Sequence, residues 1–294
     1  MTRDLIGYAG QWPDFTWPNG TRLAVSVVVN FEEGAEQQIL DGDQTNERIG
    51  EVLSVVPEGR SDPGQAQIFA YGIRAGAWRM ADALRRFDIP MTLFACGRAA
   101  ERAALVLSML SSGGHEVACH GWQWRPHADY QDRETEAADL DRAADAIASA
   151  TGHKPLGFFC RGAESPWTRD LLVERRYRYT SNGFDDDLPY RDPSGLLVVP
   201  YALDSNDMKF FHPNGFVRSS EMVDYIRDAL DVLEAEAAAG HPRLLNIGFH
   251  LRIVGRPGRF KAFQNVLEEL DRRRERLWLA QRIQIANAFA EAVP

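Results

Sequence analysis

The chain has 294 residues, 45% of them hydrophobic, and a formal net charge of −9. That is ample for a core, and the acidic balance, with no basic cluster interleaved with aromatics, argues against a nucleic-acid or membrane-surface role. No stretch approaches the roughly 18 apolar residues of a membrane span, and Met1-Thr2-Arg3-Asp4 leads into no apolar run of signal length, so a cytoplasmic protein is expected.

Residues 1–22 carry Trp12, Pro13, Trp17, Pro18 and Asn19-Gly20 and read as an irregular aromatic arm draped over the rest. The β-branched run Arg22 to Asn30 predicts the first strand, with Phe31-Glu32-Glu33-Gly34 at its carboxyl end. Residues 35–72 are polar and turn-rich and read as a long insertion, a length usually tied to function or partners. Strands and helices then alternate. Helices are expected over Arg74–Phe87, Ala99–Ser111, Arg133–Ala150, Thr168–Arg176, Ser219–Ala239, Arg259–Arg274 and Ile283–Ala292. Strands are expected over Pro90–Ala95, Val117–Cys119, Leu156–Cys160, Tyr177–Thr180, Leu196–Tyr201, Leu244–His250 and Leu277–Ala280. The alternation implies an α/β fold, a barrel-like and mainly parallel sheet with helices outside, and nothing in residues 23–294 reads as a linker between domains.

In such folds the carboxyl ends of the strands carry the chemistry. Five polar groups fall there: Glu32-Glu33, His120, Arg161, Asp204 to Asp207, and His250. A carboxylate pair can be two solvated acids, or a general base beside an acid that ligates a metal. A single histidine ending an apolar run is commonly a satisfied hydrogen-bonding group; two at active-end positions favour function. Arg161 suits a carboxylate such as Glu32, an anionic substrate or a surface salt bridge, and Asp207 is placed to couple to it. His115 reads as structural, His127 as a loop residue able to swing inward, and His153, His212 and His241 as surface groups. Cys96, Cys119 and Cys160 read as small buried hydrophobes. Cys119 adjoins His120, but adjacent strand residues point to opposite faces, which disfavours it as a nucleophile.

The order of these elements resembles the polysaccharide deacetylase-like (NodB homology) superfamily across roughly residues 20–290. The matching elements are Asn30-Phe31-Glu32-Glu33-Gly34, Gly114-His115-Glu116 leading to His120-Gly121-Trp122-Gln123-Trp124, Arg161 to Thr168, Asp204 to Asp207, and Gly248-Phe249-His250. Within it the chain is most similar to the allantoinase branch. That likeness rests on Arg3 to Tyr8, Asn30 to Glu36, Gly42-Asp43, Tyr71-Gly72 with Arg74-Ala75-Gly76, His120-Gly121, and Asp185 to Tyr190, and also on Asn206-Asp207-Met208 and Ile253 with Gly255-Arg256-Pro257. The resemblance implies a distorted (β/α) barrel and a cytoplasmic homo-oligomer, dimer or tetramer, that hydrolyses a C–N bond in a small cyclic amide or ureide.

The superfamily's metal site uses the second acid of the first motif and both histidines of the second. Here the second histidine position is Trp124, leaving Glu33 and His120, one protein ligand short of the superfamily's site. The expectation is therefore no tightly bound cofactor, or a weakly held divalent metal such as zinc. Catalysis is expected from Glu32 as base, its pKa raised by burial beside Glu33, with Arg161 and Asp207 orienting it. His250 would protonate the departing nitrogen, and His120 would hold water, substrate or a weak metal. Trp122, Trp124, Glu164 and Trp167 are the expected substrate contacts, the tryptophans suiting a planar ring. Two other readings are a metal-dependent N-deacetylase acting on an amino sugar or other acetamide, and a non-catalytic ligand-binding protein on the same fold.

Overall fold

The computed structural model describes residues 4–294. Met1, Thr2 and Arg3, part of the expected arm, lie outside the described residues. β1 (Leu23–Phe31) is the centre of the sheet and is buried along its whole length. It pairs in parallel with β2 (Met91–Ala95), β8 (Arg243–His250) and the short β9 (Trp278–Leu279). On the β2 side the sheet continues in parallel through β3 (Glu116–Cys119), β4 (Gly157–Phe158), β5 (Tyr179–Thr180) and β7 (Leu197–Val198). β6 (Tyr190–Arg191) runs antiparallel along β7. The result is a curled, mostly parallel half-barrel, and a single parallel bridge, Asn206 to Gly248, links the segment after β7 back to β8.

The helices are α1 (Pro63–Tyr71), α2 (Ala77–Phe87), α3 (Gly97–Arg102), α4 (Ala104–Ser111), α5 (Arg133–Thr151), α6 (Thr168–Glu174), α7 (Ser219–Ala238), α8 (Pro257–Arg272) and α9 (Arg282–Ala292). No helix among the described residues is long and apolar enough to cross a membrane.

Strand alternation sorts the side chains. Val25, Val27, Val29 and Phe31 join Leu93, Leu245, Ile247 and Phe249 in the core beneath the outer helices. Ala24 and Val28 join Phe94, Ala118 and Tyr201 in a second core. Continuing that second face along each strand places Asn30 and Glu32, His120, and Gly248 and His250 together at the carboxyl ends.

The chain departs from its sequence reading where backbone chemistry interrupts the pattern. The insertion at 35–72 is not all loop: its residues Pro63–Tyr71 form α1, capped by Asp62 accepting from the Gln65 N–H (3.0 Å), with Pro63 at the first helical position. A π-type turn, Gly72–Gly76, carries α1 into α2. A side chain at Gly76 would collide with the Leu251 carbonyl, so glycine lets this turn press on the loop after β8. The single helix expected over Ala99–Ser111 breaks at Ala103. β4, β5 and β7 have only two residues each, and β6 was not expected.

The aromatic arm is fastened rather than loose. Trp17 is 1% exposed, stacks on Trp278 at 5.4 Å and donates its indole N–H to the Arg243 carbonyl (3.2 Å). Trp17→Ala should cost about 3–5 kcal/mol, to be read as a lowered midpoint in a denaturant titration.

Candidate active site

The inward residues meet around a cavity of about 850 Å³ at the carboxyl ends of the strands. Glu32, His120 and His250 line it and are each almost fully buried. Parallel register sets Asn30 beside His250, two residues ahead of Glu32 on the same face of β1. Glu32 Oε1 lies 3.1 Å from His120 Nε2 and 3.4 Å from His250 Nε2, and Oε2 accepts from Arg252 Nη1 at 2.7 Å.

Each histidine is fixed by its other nitrogen. His120 Nδ1 meets the Phe159 carbonyl at 2.6 Å. A carbonyl only accepts, so Nδ1 carries hydrogen and Nε2 is turned to Glu32. His250 Nδ1 meets Asp207 Oδ1 at 2.6 Å. Asp207 Oδ2 accepts from the backbone N–H of His250 (2.8 Å) and of Val254 (3.2 Å), so this carboxylate is locked on three sides.

These contacts separate the two protonation preferences. Burial alone would raise Glu32, but the His250 and Arg252 charges, with hydrogen bonds from both histidines, hold it well below the ordinary carboxylate range. This corrects the expectation that burial beside Glu33 raises it. Burial would lower His250, but Glu32 and Asp207 outweigh it and push the imidazole up to about 9. Burial raises the thiols of Cys96, Cys119 and Cys160, Cys119 to about 11, which removes the thiolate a cysteine nucleophile needs.

Glu33 faces the other way, as strand alternation requires. It accepts from the Arg252 backbone N–H (2.9 Å), and its Oε1 lies 3.6 Å from Arg252 Nη1. A Cβ at Gly72 would stand 2.5 Å from Glu33 Oε1, so the glycine of the π-type turn makes room for it. Arg252 thus stands between both carboxylates, its guanidinium over Phe69 (4.4 Å) and Trp124 (4.7 Å). Among the described residues no group of three His, Cys, Asp or Glu side chains is placed to hold a metal ion. A guanidinium against both glutamates and an indole where a third ligand would stand do not fit a divalent cation.

Several expected site residues lie elsewhere. Arg161 lines the cavity but does not orient the base: it pairs with Glu47 of the insertion (2.6 Å) and lies over Trp124 (3.9 Å). Asp207 orients His250, not Glu32. Trp124 lines the cavity, whereas Trp122 does not; it is buried with Arg142 over its ring. Glu164 is bound to Arg169 (2.7 Å), and Trp167 packs on the outer core, so neither contacts the cavity. His127 is buried and tied to Glu136 (2.8 Å) rather than swung inward, and exposed His212 stands among the cavity's lining residues.

Sequence reasoning missed Arg252, Asn30, Tyr201 and Phe159. Arg252 follows His250 by two, and Asn30 is a lone polar residue two before Glu32, so period-two spacing was a usable signal for both. Phe159 directly follows β4 and Tyr201 comes three residues after β7, strands too short to show a period.

The polysaccharide deacetylase family model matches residues 61–179. A Schizosaccharomyces pombe (strain 972) protein carrying a polysaccharide deacetylase name is 35% identical over 318 residues, spanning 100% of this chain and 98% of its own. A Pseudomonas aeruginosa PAO1 crystal structure with a polysaccharide deacetylase name superposes with a TM-score of 0.94 at 35% identity, covering 100% of this chain and 99% of its own. The crystal structure of Puue allantoinase gives a TM-score of 0.93 at 37% identity, with the same coverage.

Proposed function

We propose a reaction for this chain, which belongs to the polysaccharide deacetylase family: metal-independent hydrolytic opening of a small cyclic amide or ureide. The observation that carries the reading is Glu32 held between His120 and His250 at the buried end of an open cavity. An ionised carboxylate beside a protonated imidazole is the pair that base-then-acid amide hydrolysis needs. Likeness to Puue allantoinase at 37% identity over the whole chain supports the ring substrate.

Water held by Glu32 and His120 attacks the amide carbon as Glu32 takes its proton. The carbonyl oxygen becomes an oxyanion at the buried end of the cavity. The C–N bond then breaks as His250 gives its Nε2 proton to the nitrogen, with Asp207 holding the imidazole by Nδ1. In a ring that nitrogen stays tethered, so a poised acid guards against reclosure. The 3.4 Å between Glu32 and His250 lets the proton return and reset both groups.

The test is a panel of five- and six-membered cyclic ureides and imides beside N-acetyl amino sugars, each assayed with and without EDTA. Ring opening within twofold of its chelator-free rate is expected. Deacetylation lost to chelator would transfer the site to the metal-dependent reading, and ligand affinity with no turnover anywhere would make it a binding protein.

A further inference from the structure

Tyr201 has no part in the scheme above, yet its hydroxyl is held from two sides in the cavity lining. It receives the side-chain N–H of Asn30 (3.1 Å) and of Asn206 (2.9 Å). Neither amide is free to turn over. Asn30 Nδ2 also donates to the Phe249 carbonyl (3.2 Å), which would repel an oxygen, and Asn206 Oδ1 accepts from the Met208 N–H (2.8 Å). Both lone pairs of the phenol oxygen are therefore taken by donors, and its own hydrogen must go elsewhere. Burial, with the charges of Asp207 and Glu32, keeps the phenol protonated although the Asn30 hydrogen bond opposes it.

The surroundings are built for this placement. Asn30, Tyr201 and Asn206 line the same cavity as Glu32, His120 and His250. Phe159 stacks on His120 (5.0 Å) and on Tyr201 (4.4 Å), holding the two rings as one layer. A Cβ at Gly248 would stand 2.5 Å from the Tyr201 hydroxyl and also collide with the Asn206 amide, so glycine clears the space. Buried Arg282 donates to the Val199 and Pro200 carbonyls immediately before Tyr201 and fixes the segment after β7.

We propose that Tyr201 is a further catalytic group, whose O–H donates a hydrogen bond to the scissile carbonyl oxygen as that oxygen gains negative charge. Asn30 and Asn206 are the positioning residues that aim it. No proton leaves the phenol: as water attacks, the carbonyl π pair moves to oxygen, the O–H shortens onto it, and the pair returns when the C–N bond breaks. The inference rests on the amide-hydrolysis reading.

The experiment uses whichever cyclic ureide or imide the wild type opens fastest. Tyr201→Phe should lower kcat by about 10²–10³-fold, with KM within threefold and a cooperative thermal transition retained. Asn206→Asp keeps the tyrosine and the turn to Met208 but sets an acceptor against the phenol, capturing its hydrogen, and should lower kcat comparably. Adding Asn206→Asp to Tyr201→Phe should cost less than threefold more, because the shared O–H is already gone. Tyr201→Phe within threefold of wild-type kcat overturns the role, as does an Asn206→Asp loss undiminished in the double variant. Should Tyr201→Phe not fold, Asn206→Asp alone decides by the same threefold limit. A wild type that opens no member of the panel overturns the ring-opening reading first, and this role with it.

Discussion

Glu32→Gln is expected to lower kcat by about 10²–10⁴-fold, the usual worth of a positioned general base. The substitution keeps shape but removes the carboxylate that faces both histidines. It also reverses polarity. The Gln carbonyl must stay on Arg252, so its NH2 faces His120 and His250, where it can take no proton from water. The fold should weaken too, since Arg252 is fully buried and loses its shortest ion pair. Removing one partner of a buried pair costs about 3–5 kcal/mol, so a denaturant midpoint should be measured beside kcat. The alkaline limb supplies an independent sign. Glu32 raises His250, so its loss should move the limb of residual activity below 9. Activity within tenfold of wild type would show that the attacking water is deprotonated elsewhere.

How much of this was legible in the sequence divides by distance along the chain. β1 and β8 are long, apolar and bounded, so their ends, and with them Glu32 and His250, could be placed from periodicity. His120 followed from three small or apolar residues, Val117, Ala118 and Cys119, and a glycine turn. The pairings were not legible. Asp207 to His250 spans 43 residues and Arg252 to Glu32 spans 220, and several cations competed for each carboxylate. Arg161, the nearest guess, is held by Glu47, a residue of the insertion whose docking no local pattern reveals. Trp122 and Trp124 looked equivalent, but two residues along an irregular segment sent one to the helices and one to the cavity. The direction of the Glu32 shift was misread for the same reason: burial can be inferred from an apolar run, but the two cations that outweigh it come from elsewhere in the chain.

Asp207→Asn tests the acid as Glu32→Gln tests the base. Wild-type His250 should be protonated through neutral pH and lose its proton near 9, so kcat should hold a plateau and fall above that value. The acid limb should lie well below 4.5, because Glu32 stays ionised far into acid. In the variant the side-chain oxygen must still accept from the His250 and Val254 backbone N–H groups. That leaves the NH2 facing His250 Nδ1, which then has to accept, so the ring is neutral with its hydrogen on Nε2. A neutral imidazole gives up that hydrogen only by becoming an anion. A kcat loss of about 10²–10⁴-fold follows, with the alkaline limb moved toward or below the ordinary 6.5 of histidine. Stability carries the same sign. A pKa raised in the fold contributes stabilisation that is complete below 6.5 and is lost as pH rises through about 9. The wild-type midpoint should therefore fall across that interval, and the variant's should fall less. NMR of the His250 ring nitrogens gives the protonation state directly, and a variant ring still charged at pH 7 with kcat within tenfold of wild type would remove His250 as the acid.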